Sequence, residues 1–162
     1  MHYYDFDAIQ YVKDIVDKNK YAIENGFKFC RISGIGDAEE MINSMRREKA
    51  FIAVDDTPES SVIVRDNGPV ERIMQTVFVA YRFDSKSESS RISAEDKCKT
   101  FMLQFLSKIL HDKDELKSAM IYLDQDIQSR MLGSILDGVT GLYFTFSFAR
   151  PIKLCYNDNE WN

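Results

Sequence analysis

Two histidines and three cysteines are all that this 162-residue sequence offers of the side chains on which nucleophilic catalysis and transition-metal binding most depend. His2 sits at a terminus, where chains fray, and His111 falls where a second helix should end, a position that suits a dipole contact. Cys30, Cys98 and Cys155 are odd in number and far apart, without the close pairing of zinc sites and redox dithiols. They read as unbridged thiols, two of them buried. No stretch approaches the roughly 18 apolar residues that a membrane-spanning helix needs. Residues Met1 to Gln10, MHYYDFDAIQ, put acids and aromatics where a secretory signal has basic and then apolar residues, so a protein made and kept in the cytoplasm is expected.

What is present is ordinary for a folded domain, with 44% hydrophobic and 29% charged residues. A chain of this length buries about 68–70% of the surface of its unfolded form, so one domain spanning 1–162 can build a core without metals or disulfides. Eleven Phe and eight Tyr raise the aromatic share to 12%, which suits cores and subunit interfaces alike. The net charge of -5 argues against a broad basic surface that grips nucleic acid.

The periodicities predict an α+β fold, a mainly antiparallel sheet with a long hairpin, packed by an N-terminal helix and one long central helix. Asp5 or Asp7 can cap a first helix whose stripe is Phe6, Ile9, Val12, Ile15 and Val16, running to about Glu24 and stopped by Asn25-Gly26. Phe27–Ile32 alternates as a strand, Asp37–Arg47 reads as a short helix, and Ala50–Val54 as a strand closed by Asp55-Asp56-Thr57-Pro58. Val62–Val64, the turn Arg65-Asp66-Asn67-Gly68-Pro69 and the long run Val70–Phe83 form the hairpin; apolar side chains on both faces of that run mark a central strand, or one covered by a neighbouring subunit. A serine-rich polar link, Asp84–Arg91, precedes a helix over Ser93–Leu110, about 27 Å long, with Ser93 and Asp96 resembling a capping box. A charged turn follows at Asp112–Glu115. Met120–Leu123 and Ile127–Leu132 fit strand or weak helix equally. Leu142–Arg150 alternates as a strand that Pro151 ends or edges, and a polar tail from about 155 to 162 holds Trp161.

The candidate chemistry is sparse. Gly34-Ile35-Gly36 lacks the glycine pattern and the lysine of a phosphate-binding loop and reads as a tight turn. Asp124 with Asp126, Asp55 with Asp56, and Asp66-Asn67-Gly68 read as solvated turns rather than cation sites. No catalytic residue, cofactor-binding residue or metal ligand is assigned.

The order of elements, a capped helix, a sheet with a long hairpin, a long helix and a closing strand pair ending in LYFTFSFARPI, resembles the tail-terminator and head-completion (neck ring) proteins of tailed bacteriophages from about Asp7 to Leu154. The stretch Asp37–Val54 departs from the simplest form of that pattern. The resemblance implies a non-enzymatic structural subunit of a virion, made in the host cytoplasm, that forms a homo-oligomeric ring and contacts other phage neck or tail proteins. DNA would pass through its lumen without sequence-specific binding, and no cofactor or membrane would be involved. Interface contacts are expected at Arg65, Asp66 and Asn67 of the hairpin turn, at Ser85, Lys86, Ser87 and Arg91 of the serine-rich loop, and at Trp161. Two other classes fit the same residues: a small bacterial enzyme or ligand-binding domain with a pocket between the long helix and the sheet, and an adaptor that binds a partner through an exposed sheet edge.

Overall fold

The computed structural model describes residues 6–33, 48–124, 126–136 and 138–160, together with every element named below. Asp7 caps the first helix, its carboxylate accepting from the Gln10 amide at 3.0 Å, and α1 runs Ala8–Lys18 with Ala8, Val12, Ile15 and Val16 buried. The helix expected to reach Glu24 is broken at Asn19, whose side chain accepts from the Ala22 amide at 2.7 Å and starts a separate helix, α2 (Lys20–Glu24). Gly26, at φ +74, turns the chain into β1 (Phe27–Ile32).

β1 pairs in parallel with β2 (Ala50–Asp55), and β2 pairs antiparallel with the upper half of β4 (Gly68–Arg82). The predicted helix at Asp37–Arg47 and the glycine turn before it lie outside the described residues. β3 (Glu59–Arg65) forms the expected hairpin with the lower half of β4 across the two-residue turn Asp66-Asn67, so the strand is longer than Val62–Val64. β7 (Val139–Pro151) lies along the whole other side of β4, from Val70 against Pro151 to Arg82 against Val139. The segments left undecided are strands: β5 (Tyr122–Leu123) and β6 (Gln128–Leu136), both on the far edge of β7. Among the described residues the sheet has seven strands in the order β1-β2-β4-β7-β5, with β3 beside β4 and β6 beside β7, and only the β1–β2 pair is parallel. The fold is therefore α+β with a mostly antiparallel sheet.

The second long helix, α3, runs Glu88–His111 and begins five residues before the predicted start. Ser87, not Ser93, is its cap, with its side chain accepting from the Ser90 amide at 3.2 Å, and Glu88 occupies the first turn. The charged turn after it is a further short helix, α4 (Lys113–Ser118).

α1 and α3 cover one face of the sheet. Cys98, Phe101, Met102, Phe105 and Ile109 of α3 meet Val77, Val79, Leu142, Phe144 and Phe146 of β4 and β7. The Phe105 ring lies 5.0 Å from that of Phe144 and 5.9 Å from that of Phe146. The opposite face is apolar as well, with Phe51, Ala53, Phe78 and Ala80 buried there. β6 supplies part of its cover: register shifts at Met131/Gly133 and Ser134/Leu136 bend that strand, and its Leu132 and Ile135 pack on this second face. β4 is thus apolar on both sides because it is central. Cys98 is buried and Cys155 exposed, while Cys30 is only half-buried, so one thiol rather than two is fully enclosed. Burial pushes the Cys30 and Cys98 thiols up to about 12.

Candidate functional site

A cleft of about 470 Å³ opens between α1, the C-terminal end of α3 and α4. Between the long helix and the sheet the Phe101, Phe105, Phe144 and Phe146 rings are buried together.

The cleft is organised around Asp112, the residue that joins α3 to α4, which is only 7% exposed. The Tyr11 hydroxyl donates to its Oδ2 at 2.9 Å from the middle of α1, and Lys108 Nζ, one helical turn back on α3, donates to both carboxylate oxygens. His111 Nδ1 lies 3.2 Å from Oδ1. Burial works against ionisation, yet the hydrogen bonds from Lys108, His111 and Tyr11 and the charge of Lys108 outweigh it and hold the carboxyl below its ordinary range. Tyr11 shows the reverse. Its burial, then its bond to Asp112 and the negative charges of Asp112 and Glu115, push the phenol far above its ordinary value.

The depressed Asp112 value has a defined sign for stability. The carboxylate contributes at neutral pH, and that contribution is lost as pH falls through the lowered native value. Asp112→Asn is expected to lower the unfolding free energy by about 1–3 kcal/mol at pH 7, the scale of a charged hydrogen-bond network left unmade. Urea unfolding of both proteins down to about pH 3 should show the difference narrowing below about pH 4, where the unfolded aspartate also protonates.

The walls carry Asp14 and Lys18 from α1, Asn19 from the α1–α2 junction and Glu115 from α4, and the floor is Ile15, Leu116 and Ala119. None of these residues stands out in the sequence. Asp112 reads there as the first acid of a charged turn, and Tyr11 lies off the apolar stripe of its helix. The signal was faint because the two meet across 101 positions of chain.

The residues expected at an interface fall at two opposite ends of the sheet. Arg65, Asp66 and Asn67 are exposed at the tip of the β3–β4 hairpin, beside the start of the C-terminal tail, where the Ile152 amide donates to the Pro69 carbonyl at 3.1 Å. Ser85 and Lys86 are exposed at the other end, some 45 Å away along β4 at about 3.3 Å per residue. Ser87 is the α3 cap, and Arg91 is held in the first turns of α3 by ion pairs to Glu88 and Glu95. Glu95 in turn accepts from the buried Thr140 hydroxyl at 3.3 Å, which ties this end of α3 to β7. Trp161 lies outside the described residues.

Asp124 is paired with Arg72, and Asp55 accepts from the amide and hydroxyl of Thr57, so both serve local structure. Among the described residues no three His, Cys, Asp or Glu side chains are grouped to hold a metal ion, and no helix is long and apolar enough to cross a membrane. No family model matches the chain, and no curated protein matches it in sequence.

Proposed function

We propose that the chain is a structural, non-enzymatic subunit of a homo-oligomeric ring, of the kind found at the head–tail junction or tail end of a tailed bacteriophage. The observation that carries this reading is the β3–β4 hairpin. Among the described residues β3 pairs only with β4, and it leaves Val62 and Val64 55% and 78% exposed. A long edge strand with exposed branched apolar side chains is an aggregation hazard unless a partner covers it. A different apolar surface faces outward on α3: Ile92, Leu103 and Leu110 are exposed, and at 3.6 residues per turn they fall on one line of the helix. Two unlike surfaces on one chain suit a head-to-tail contact, which closes into a ring when the rotation permits. The element order that resembles the phage proteins points the same way, and a virion location, contacts with neck or tail proteins and passage of DNA without base recognition follow from that reading. The net charge of -5 suits DNA that slides past rather than sticks.

Native mass spectrometry over a concentration series, with negative-stain electron microscopy of any large species, tests the assembly. Closed rings are expected for the wild type, and dissociation to monomers for Val62→Asp/Val64→Asp, with an unchanged circular dichroism spectrum because both side chains are exposed. A wild-type protein that stays monomeric at every concentration would favour the second reading, a ligand-binding domain, for which the cleft beside Asp112 is the specific observation.

A further inference from the structure

The cleft supports an inference that does not depend on ring formation. We propose that it is a binding site for a small amphipathic cation, an amine or guanidinium carried on an apolar body. Its volume of about 470 Å³ falls within the range of small-ligand sites, roughly 300–1,000 Å³. An adjoining hollow of about 340 Å³ shares Tyr11, Asp14, Leu116 and Ala119 with it and adds Phe6 and Ile121, which lengthens the apolar floor.

The charges select the sign of the ligand. Lys108 is neutralised by Asp112. That leaves Asp14 on α1 and Glu115 on α4 as lining carboxylates, with Asp7 lining the adjoining hollow, against Lys18 as the remaining lining cation. Among the described residues Asp14 accepts only a neutral amide hydrogen bond, from Gln10 at 2.7 Å, and carries no ion pair. The Tyr11 ring adds an aromatic surface, which attracts cations. Its hydroxyl is fixed by Asp112, so the ring is already in place before a ligand arrives. An anion with the same body would meet the Asp14 and Glu115 carboxylates and lose on the same account.

Isothermal titration calorimetry of the full chain with 4-phenylbutylamine, 4-phenylbutylguanidine and 4-phenylbutanoate separates charge from hydrophobic body, and amide NMR shifts locate the site. Saturable binding of the amine and guanidine is expected, at least about tenfold tighter than the carboxylate, with shifts on α1 and α4. Asp14→Asn/Glu115→Gln should weaken amine binding by about tenfold or more, the scale of one charge-assisted hydrogen bond, and Lys18→Gln should tighten it. Both changes are at the cleft walls and spare Asp112. Equal binding of the carboxylate, an unchanged affinity in the double variant, no saturable amine binding, or shifts elsewhere on the protein would each overturn the proposal.

Discussion

Gly141→Ala is expected to cost about 3 kcal/mol or more of unfolding free energy, a large share of the roughly 5–15 kcal/mol that holds a domain together. Gly141 lies in β7, paired with Ala80 of β4 on one side and Gly133 of β6 on the other. A methyl group placed there would meet the Val79 carbonyl oxygen at 2.2 Å and the Ala80 Cα at 3.0 Å. Both are backbone atoms of the central strand, so no rotamer change can relieve the clash. The sheet itself must shift, at the point where Ala80 of β4 is held between Phe51 of β2 and Gly141 of β7. Gly26→Ala is the control: it has open space around it, and only its left-handed conformation opposes a side chain, at about 1 kcal/mol. Denaturant midpoints of the two variants should differ clearly, and equal midpoints would contradict the assigned β4–β7 register.

Phe105→Ala should be comparably damaging, by about 3–5 kcal/mol. The ring is fully buried and touches three others, at 6.2 Å to Phe101, 5.0 Å to Phe144 and 5.9 Å to Phe146. It is the point at which the long helix meets both neighbouring positions of the last strand. Truncation removes the transfer free energy of the ring and leaves a void that rigid neighbours cannot fill. Leu103→Ala, two residues away on the exposed line of α3, should move monomer stability by no more than about 0.5 kcal/mol. The contrast between the two separates a helix that merely lies near the sheet from one whose stripe is the core.

Most of the fold was legible because side-chain types recur with period two in the strands and about 3.6 in the helices. Phe27–Ile32 and the Leu142–Arg150 run alternate plainly, and both are strands with nearly those limits. The misreadings have local causes. Serine serves equally in a polar link and at a helix cap, and the Ser93–Asp96 spacing hid the start at Ser87. Asn19 breaks the first helix while the apolar pattern runs on through Ala22. β6 was ambiguous because its two bulges shift which side chains face inward, and a bulge leaves no alternation to read. The cleft was the least visible feature, since Tyr11, Lys108 and Asp112 acquire meaning only once α1 lies against the end of α3.

The β4–β7 pairing also governs when the chain can become itself. Every rung between these two strands joins residues separated by all of α3 and α4, whereas β2 and β3 occupy only the other side of β4. During synthesis β4 therefore leaves the ribosome with one complete edge, Val70 to Arg82, unsatisfied until the last strand emerges. Loop closure of that length precedes the reward of pairing, so refolding is expected to be slow for a chain of this size. In the interval the open edge of β4 and the bare apolar stripe of α3 are the surfaces through which nascent copies can capture one another.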